Sequence, residues 1–200
     1  MKRKLVTFMA LLASLSLAAT ADDHTVTVRI PSVLQLTLDA TDYKFDFNAS
    51  SASGTVTIGS NSYTKASQAA YLTFLNTTSG TQDFAPTSIE NAANPDYGTV
   101  TVLTNRAQWT VKIDSIDDGP LTLGNGRVKV FAEKVSGKGT SSTTTPTSIT
   151  APLTLFNASS NGQGRSVYKL YYLFTMDIND DIPLSGINEY ITVNLLLTSP

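Results

Sequence analysis

The chain predicts an all-β protein, an antiparallel β-sandwich of about nine short strands with long polar loops. Three observations predict it. Apolar residues recur at every second position in segment after segment, the period of a strand with one buried face. Gly, Pro, Asn, Asp and Ser cluster between those segments, where turn geometry selects them. No segment carries a helical period of crossover length, which excludes a parallel α/β sheet.

A leader precedes the strands. Met1-Lys2-Arg3-Lys4 is basic, Leu5 to Ala18 is almost unbroken apolar sequence, and Ala19-Thr20-Ala21 is a small-x-small site. That is the layout of a secretory signal peptide, so residues 1–21 are expected to be cleaved and the mature chain to start at Asp22. The apolar run is too short for a permanent membrane helix. Residues 22–200 are then one domain, secreted to the extracellular space or cell surface, with periplasmic transit in a diderm host. Without Lys2, Arg3 and Lys4 the chain keeps eleven basic residues against sixteen acidic ones, a net charge of about −5. This argues against nucleic acid and against insertion in an anionic membrane. There is no cysteine, so stability must come from packing and sheet hydrogen bonds.

The elements follow in order. His24 to Ile30 alternates strictly, with Val26, Val28 and Ile30 on one face, and Pro31 ends the run. Residues 22–31 are therefore a candidate donor or edge strand. Val33 to Leu38 is a second strand, and Tyr43 to Phe47 alternates aromatic with charged residues. Gly54 to Ile58 is a third, with turn chemistry at Asn61-Ser62. Ala66 to Ala70 suggests one helical turn before apolar Tyr71 to Leu75, and 76–98 reads as loop. Thr99 to Thr104, Asn105-Arg106 and Trp109 to Ile113 read as a hairpin, with Trp109 in the core between two sheets. Arg127 to Val135 alternates again. Residues 136–148 form a Ser/Thr-rich tract expected to be a flexible loop. Ile149 to Phe156 and Val167 to Ile178 are strands. The latter places Tyr168, Leu170, Tyr172, Phe174 and Met176 on the core face and Tyr171 on the exposed one. Tyr190 to Thr198 closes the chain, with Ile191, Val193, Leu195 and Leu197 on one face.

The last third carries a resemblance. Tyr168 to Asp177, the turn Ile182-Pro183-Leu184-Ser185-Gly186 and the strand from Tyr190 to Thr198 resemble the C-terminal hairpin of bacterial secreted immunoglobulin-like domains. Those domains occur in pilus subunits and spore-coat-type surface proteins. Asn105 to Ile113 is similar to the central hairpin of the same group. The resemblance implies an antiparallel immunoglobulin-like β-sandwich. Many subunits of the chaperone–usher route carry a cysteine pair. This chain carries none, so the resemblance speaks to fold and not to that assembly route.

Catalytic chemistry has few candidates. The one histidine is His24, and with no cysteine the Cys/His and Ser/His nucleophile pairs lack material. Most acidic residues sit in turns, so no catalytic residue and no cofactor are expected. Asp177, Asn179, Asp180 and Asp181 are a weak calcium candidate, because hard cations take clustered oxygen ligands. A plain Asn/Asp turn is the simpler account of the same residues. Asn48, Asn76 and Asn157 begin glycosylation sequons.

The expected function is a non-enzymatic extracellular structural subunit of a cell-surface, fimbrial or matrix assembly. It would associate through β-strand pairing by Val26, Val28 and Ile30, with itself or with related surface subunits as partner. The alternative is an adhesin or carbohydrate-binding module that holds glycan in loops 76–98 and 136–148.

Overall fold

The computed structural model describes residues 25–50, 54–117 and 119–200. The signal-peptide expectation for 1–21 lies outside those residues, as does His24. The chain divides into two units at Pro31 and Ser32. In the first, residues 25–31 form neither helix nor strand and are exposed.

The second unit is antiparallel β structure with one short helix. One large sheet holds β1 (Leu34–Leu38), β7 (Gly98–Thr104), β13 (Gly164–Asp177), β9 (Val128–Ser136) and β11 (Thr147–Ser148), in that order. Its sixth strand, β5 (Thr81–Phe84), pairs with β13 beyond the end of β7. The other large sheet runs β10 (Thr140–Ser141), β12 (Leu153–Ala158), β8 (Trp109–Asp117), β14 (Thr192–Thr198). Two ribbons complete the fold: β2 (Asp42–Lys44) with β6 (Ser88–Glu90), and β3 (Thr55–Ile58) with β4 (Asn61–Thr64).

The period-two pattern puts one face of each large sheet against the other. Val100 and Val102 of β7, Val130 and Ala132 of β9 and Tyr168 and Leu170 of β13 meet Trp109, Val111 and Ile113 of β8 and Leu155 of β12 in one buried cluster. Trp109 is 1 % exposed and its indole N–H donates to the Gly162 carbonyl at 2.9 Å. Its ring meets Tyr168 edge-on at 6.3 Å, and Tyr168 stacks on Phe156 at 4.2 Å. Desolvation pushes the Tyr168 hydroxyl up to about 12, so it stays neutral and donates to the Lys138 carbonyl at 2.8 Å. Aromatic rings in offset and edge contacts, each with its polar atom satisfied, make this end of the core rigid.

The expected hairpins are not hairpins. β7 and β8 lie in different large sheets, and so do β13 and β14. From β7 onward every successive strand crosses to the opposite sheet. Among the described strands only β3 and β4 are consecutive partners. Alternation reports which face of a strand is buried, and an arch between sheets buries the same face that a hairpin would.

Three further expectations change. The apolar segment after Ser67 is itself the helix α1 (Gln68–Leu75), with Ser67 Oγ accepting from the Ala70 amide as its N-cap. The supposed loop 76–98 contains β5 and β6. Tract 136–148, expected to be flexible, contributes β10 to one sheet and β11 to the other. Within it Thr143 is buried, and its hydroxyl accepts from the Ala132 amide at 2.8 Å. Composition alone suggested a loop because the tract's ordering contacts are hydroxyl to backbone, and not apolar. Tyr171, expected exposed, is 4 % exposed. Val56 and Ile58 of the β3–β4 ribbon share a second cluster with it, and the Tyr97 ring lies 5.4 Å away. That cluster covers the outer face of the larger sheet.

Candidate functional site

The pair of large sheets has two unlike ends. Registers place Leu34, Thr104, Trp109, Gly164 and Thr198 at one end, and Leu38, Gly98, Asp117, Asp177 and Thr192 at the other. At the second end a groove of about 980 Å³ opens beside the start of β14.

Its floor comes from β13 and β9. Tyr172, Phe174 and Met176 continue the core face of β13 past the end of β7, beside Val128. One wall is residues 42–48, where aromatic and polar residues alternate. Tyr43 meets Tyr172 edge-on at 4.7 Å, and its hydroxyl donates to the Leu170 carbonyl at 3.2 Å. Phe45 lies 5.8 Å from Phe174, and Phe47 sits 5.1 Å from Phe84 and 5.4 Å from Tyr71. Gly98 is required here, because a Cβ on it would stand 2.2 Å from the Tyr43 hydroxyl. The facing wall is Ile187 and Ile191, followed by Val193 and Leu195 of β14.

The floor carries no charge. Burial, with nearby Tyr172 and Asp39 adding, raises the Tyr43 hydroxyl far above its ordinary range. Burial alone does the same for Tyr172. Both stay neutral phenols at any physiological pH. Charged residues of the groove lie in the 42–48 wall, Asp42, Lys44 and Asp46, and at Glu189. Lys44 donates to Glu90, which raises the ammonium pKa. Glu189 accepts from the Thr122 hydroxyl and from the Thr122 amide at 2.6 Å, which holds its carboxyl below the usual range. An apolar trough with a polar rim suits an extended chain carrying alternate apolar side chains.

Beside the groove runs a sheet edge. Among the described residues β14 has a strand partner, β8, on one side only. Residues 25–30 carry an alternating pattern of their own. Val26, Val28 and Ile30 are 74 %, 72 % and 80 % exposed, and none lies in a strand.

The remaining candidates fall elsewhere. Trp109 lies at the opposite end, in the core. Side-chain oxygens of Asp177 and Asp180 are engaged with their own chain. Asp177 Oδ1 accepts from the Asn179 amide at 3.0 Å, and Asp180 Oδ2 accepts from the Asp177 amide at 2.7 Å. Asp180 Oδ1 is 2.6 Å from Arg127 Nη2. These are the contacts of a turn anchored by an ion pair. Among the described residues no three or more His, Cys, Asp or Glu side chains are grouped to hold a metal. No described helix is long and apolar enough to cross a membrane. The groove's own residues were not singled out beforehand. The alternation of Tyr43, Phe45 and Phe47 was visible, and so was that of Ile191, Val193 and Leu195, but Ile187 lies among turn residues without a period.

No family model matches the chain, and neither a curated protein nor a solved structure matches it.

Proposed function

We propose that the protein is a non-enzymatic extracellular structural subunit of a cell-surface, fimbrial or matrix assembly. Its sandwich is of the immunoglobulin-like kind, and it associates through β-strand pairing. The observation that carries this reading is the exposed, strictly alternating segment from Thr25 to Ile30. An unpartnered strand of this pattern is an aggregation hazard unless something takes it up. The leader at 1–21, the low charge and the small catalytic inventory support an exported associative role.

The test is assembly of purified protein, followed by sedimentation and electron microscopy. Val28→Asp places a charge on the apolar stripe and should abolish polymers. Because Val28 is 72 % exposed, the variant's own stability should change by less than about 0.5 kcal/mol. Polymers from Val28→Asp as abundant as the parent's would end the strand-pairing reading. A second reading, an adhesin or carbohydrate-binding module, is favoured by the rings of Tyr43, Tyr71 and Tyr190 along the groove. It predicts a monomer retained on glycan columns.

A further inference from the structure

We infer that the groove is a binding site for a neutral small molecule, built on a flat apolar ring system and carrying a hydrogen-bond acceptor that the Tyr172 hydroxyl takes. This goes beyond the structural role proposed above and does not depend on association of copies.

The Tyr172 hydroxyl carries the argument. Three other tyrosines that pack against the large sheet spend their hydroxyls inside the chain. Tyr43 donates to the Leu170 carbonyl at 3.2 Å, Tyr168 to the Lys138 carbonyl at 2.8 Å and Tyr171 to the Glu133 carboxylate at 3.4 Å. Tyr172 is 7 % exposed, and among the described residues its hydroxyl has no hydrogen-bond partner. A phenol shut away from water without a partner is costly. Among the described residues every enclosed side-chain oxygen and nitrogen is satisfied, so this hydroxyl is not enclosed. Tyr172 lines the groove, and the groove is where its hydroxyl opens. Burial keeps it protonated, so it holds a hydrogen ready for an acceptor on a guest.

Around that hydroxyl the groove is aromatic. Tyr43, Phe45, Phe47, Tyr71 and Phe174 join Tyr172 from three separate segments of the chain. Tyr43 and Tyr172 meet at an interplanar angle of 66°, Phe47 and Tyr71 at 57°, and Phe45 and Phe174 at 45°. Rings tilted in this way present both faces and edges, and a flat ring system finds offset and edge contacts on them. The volume of about 980 Å³ admits such a guest. Sites for small molecules run to about 300–1,000 Å³, mostly apolar, with a few placed polar groups.

Charge selects a neutral guest. The charged residues along the groove are Asp42, Lys44, Asp46 and Glu189, and all four are exposed. Lys44 is already paired with Glu90, and with Asp42 at 3.8 Å. Three carboxylates are left to repel an anion. A charged head of either sign laid on the uncharged floor would lose its hydration without a counter-charge. A ketone, ether or hydroxyl oxygen meets the phenol at neither cost.

The test is titration with prodan, a neutral naphthalene ketone whose emission moves to the blue in apolar surroundings. Parent and Val28→Asp protein are both titrated, so that failure to bind and failure to associate are read apart. The expected result is one saturable site per chain with a Kd of about 10 μM, ordinary for a ligand of this size. No saturable binding by either protein overturns the inference. Tyr172→Phe should weaken prodan about fivefold, the scale of one hydrogen bond. Its urea midpoint should stay that of the parent, because nothing in the chain uses that hydroxyl. Unchanged affinity, or a lowered midpoint, overturns the role of Tyr172. The same naphthalene without its ketone should bind parent and Tyr172→Phe alike, and an equal loss with both probes overturns the hydrogen bond. Ile187→Asp puts a carboxylate in the facing wall at a half-buried loop position and should weaken prodan about tenfold. Binding that ignores this change overturns the groove as the site. Anionic anilinonaphthalene sulfonate should bind about tenfold more weakly than prodan, and equal or tighter binding overturns the neutral class.

Discussion

The two ends of the paired sheets are built on the same strand and finished differently. At one end of β13, Tyr168 is closed in by Trp109 and Phe156 from the opposing sheet. At the other, Tyr172 and Phe174 line the groove. Tyr43 and Phe45 of the 42–48 segment meet them from the side, and a groove remains. The apolar core face of β13 runs through both ends, in Tyr168 and Leu170 and then in Tyr172, Phe174 and Met176. A buried face is therefore not the same as a covered face: closure depends on which other strand arrives.

The largest expected difference between the ends is energetic. Trp109→Ala should cost about 3–5 kcal/mol, since it empties a fully enclosed site and leaves the Gly162 carbonyl without its donor. Urea unfolding with unchanged slope measures it. A cost under about 1 kcal/mol would mean that this end collapses on the gap, and the contrast with the groove end would disappear.

An intermediate effect tests the wall of the groove. Gly98→Ala should destabilise by about 1–3 kcal/mol, the usual penalty for overpacking, because its Cβ meets the Tyr43 hydroxyl at 2.2 Å and the Ala40 Cβ at 2.7 Å. Adding Tyr43→Phe removes the first of those contacts and should recover part of the loss. A double variant no better than Gly98→Ala would show that the hydroxyl does not set the position of that wall.

The smallest effect is in pH. Hydrogen bonds from Thr122 lower the Glu189 carboxyl, so its folded pKa lies below the unfolded value. Such a group stabilises the fold above the unfolded pKa, and its contribution fades as pH falls through the lowered folded value. The Thr122 amide resonance should therefore titrate with a midpoint under the ordinary glutamate value of 4.5, while the Trp109 indole resonance stays still. Glu189→Gln should abolish the Thr122 titration. A Thr122 midpoint at or above the ordinary value would show that the rim contact is not made in solution.

The sequence by itself determined which residues face inward. Val100 and Val102, Trp109, Val111 and Ile113, and the Tyr168 to Met176 series were all legible from a two-residue period, because burying one face of a pleated strand demands that period. It also marked Val26, Val28 and Ile30 as one apolar stripe, and all three are exposed. Strand neighbours were decided only in three dimensions. The arches from β7 to β8 and from β13 to β14 bury the same side chains that hairpins would, so the pattern could not tell them apart. Tyr171 was misplaced for a related reason: the β3–β4 ribbon that covers it lies more than a hundred residues earlier in the chain. The groove belongs to the same class. Its walls come from residues 42–48 and 187–195, which no local period connects, and it exists because β7 ends at Gly98 while β13 runs on to Asp177.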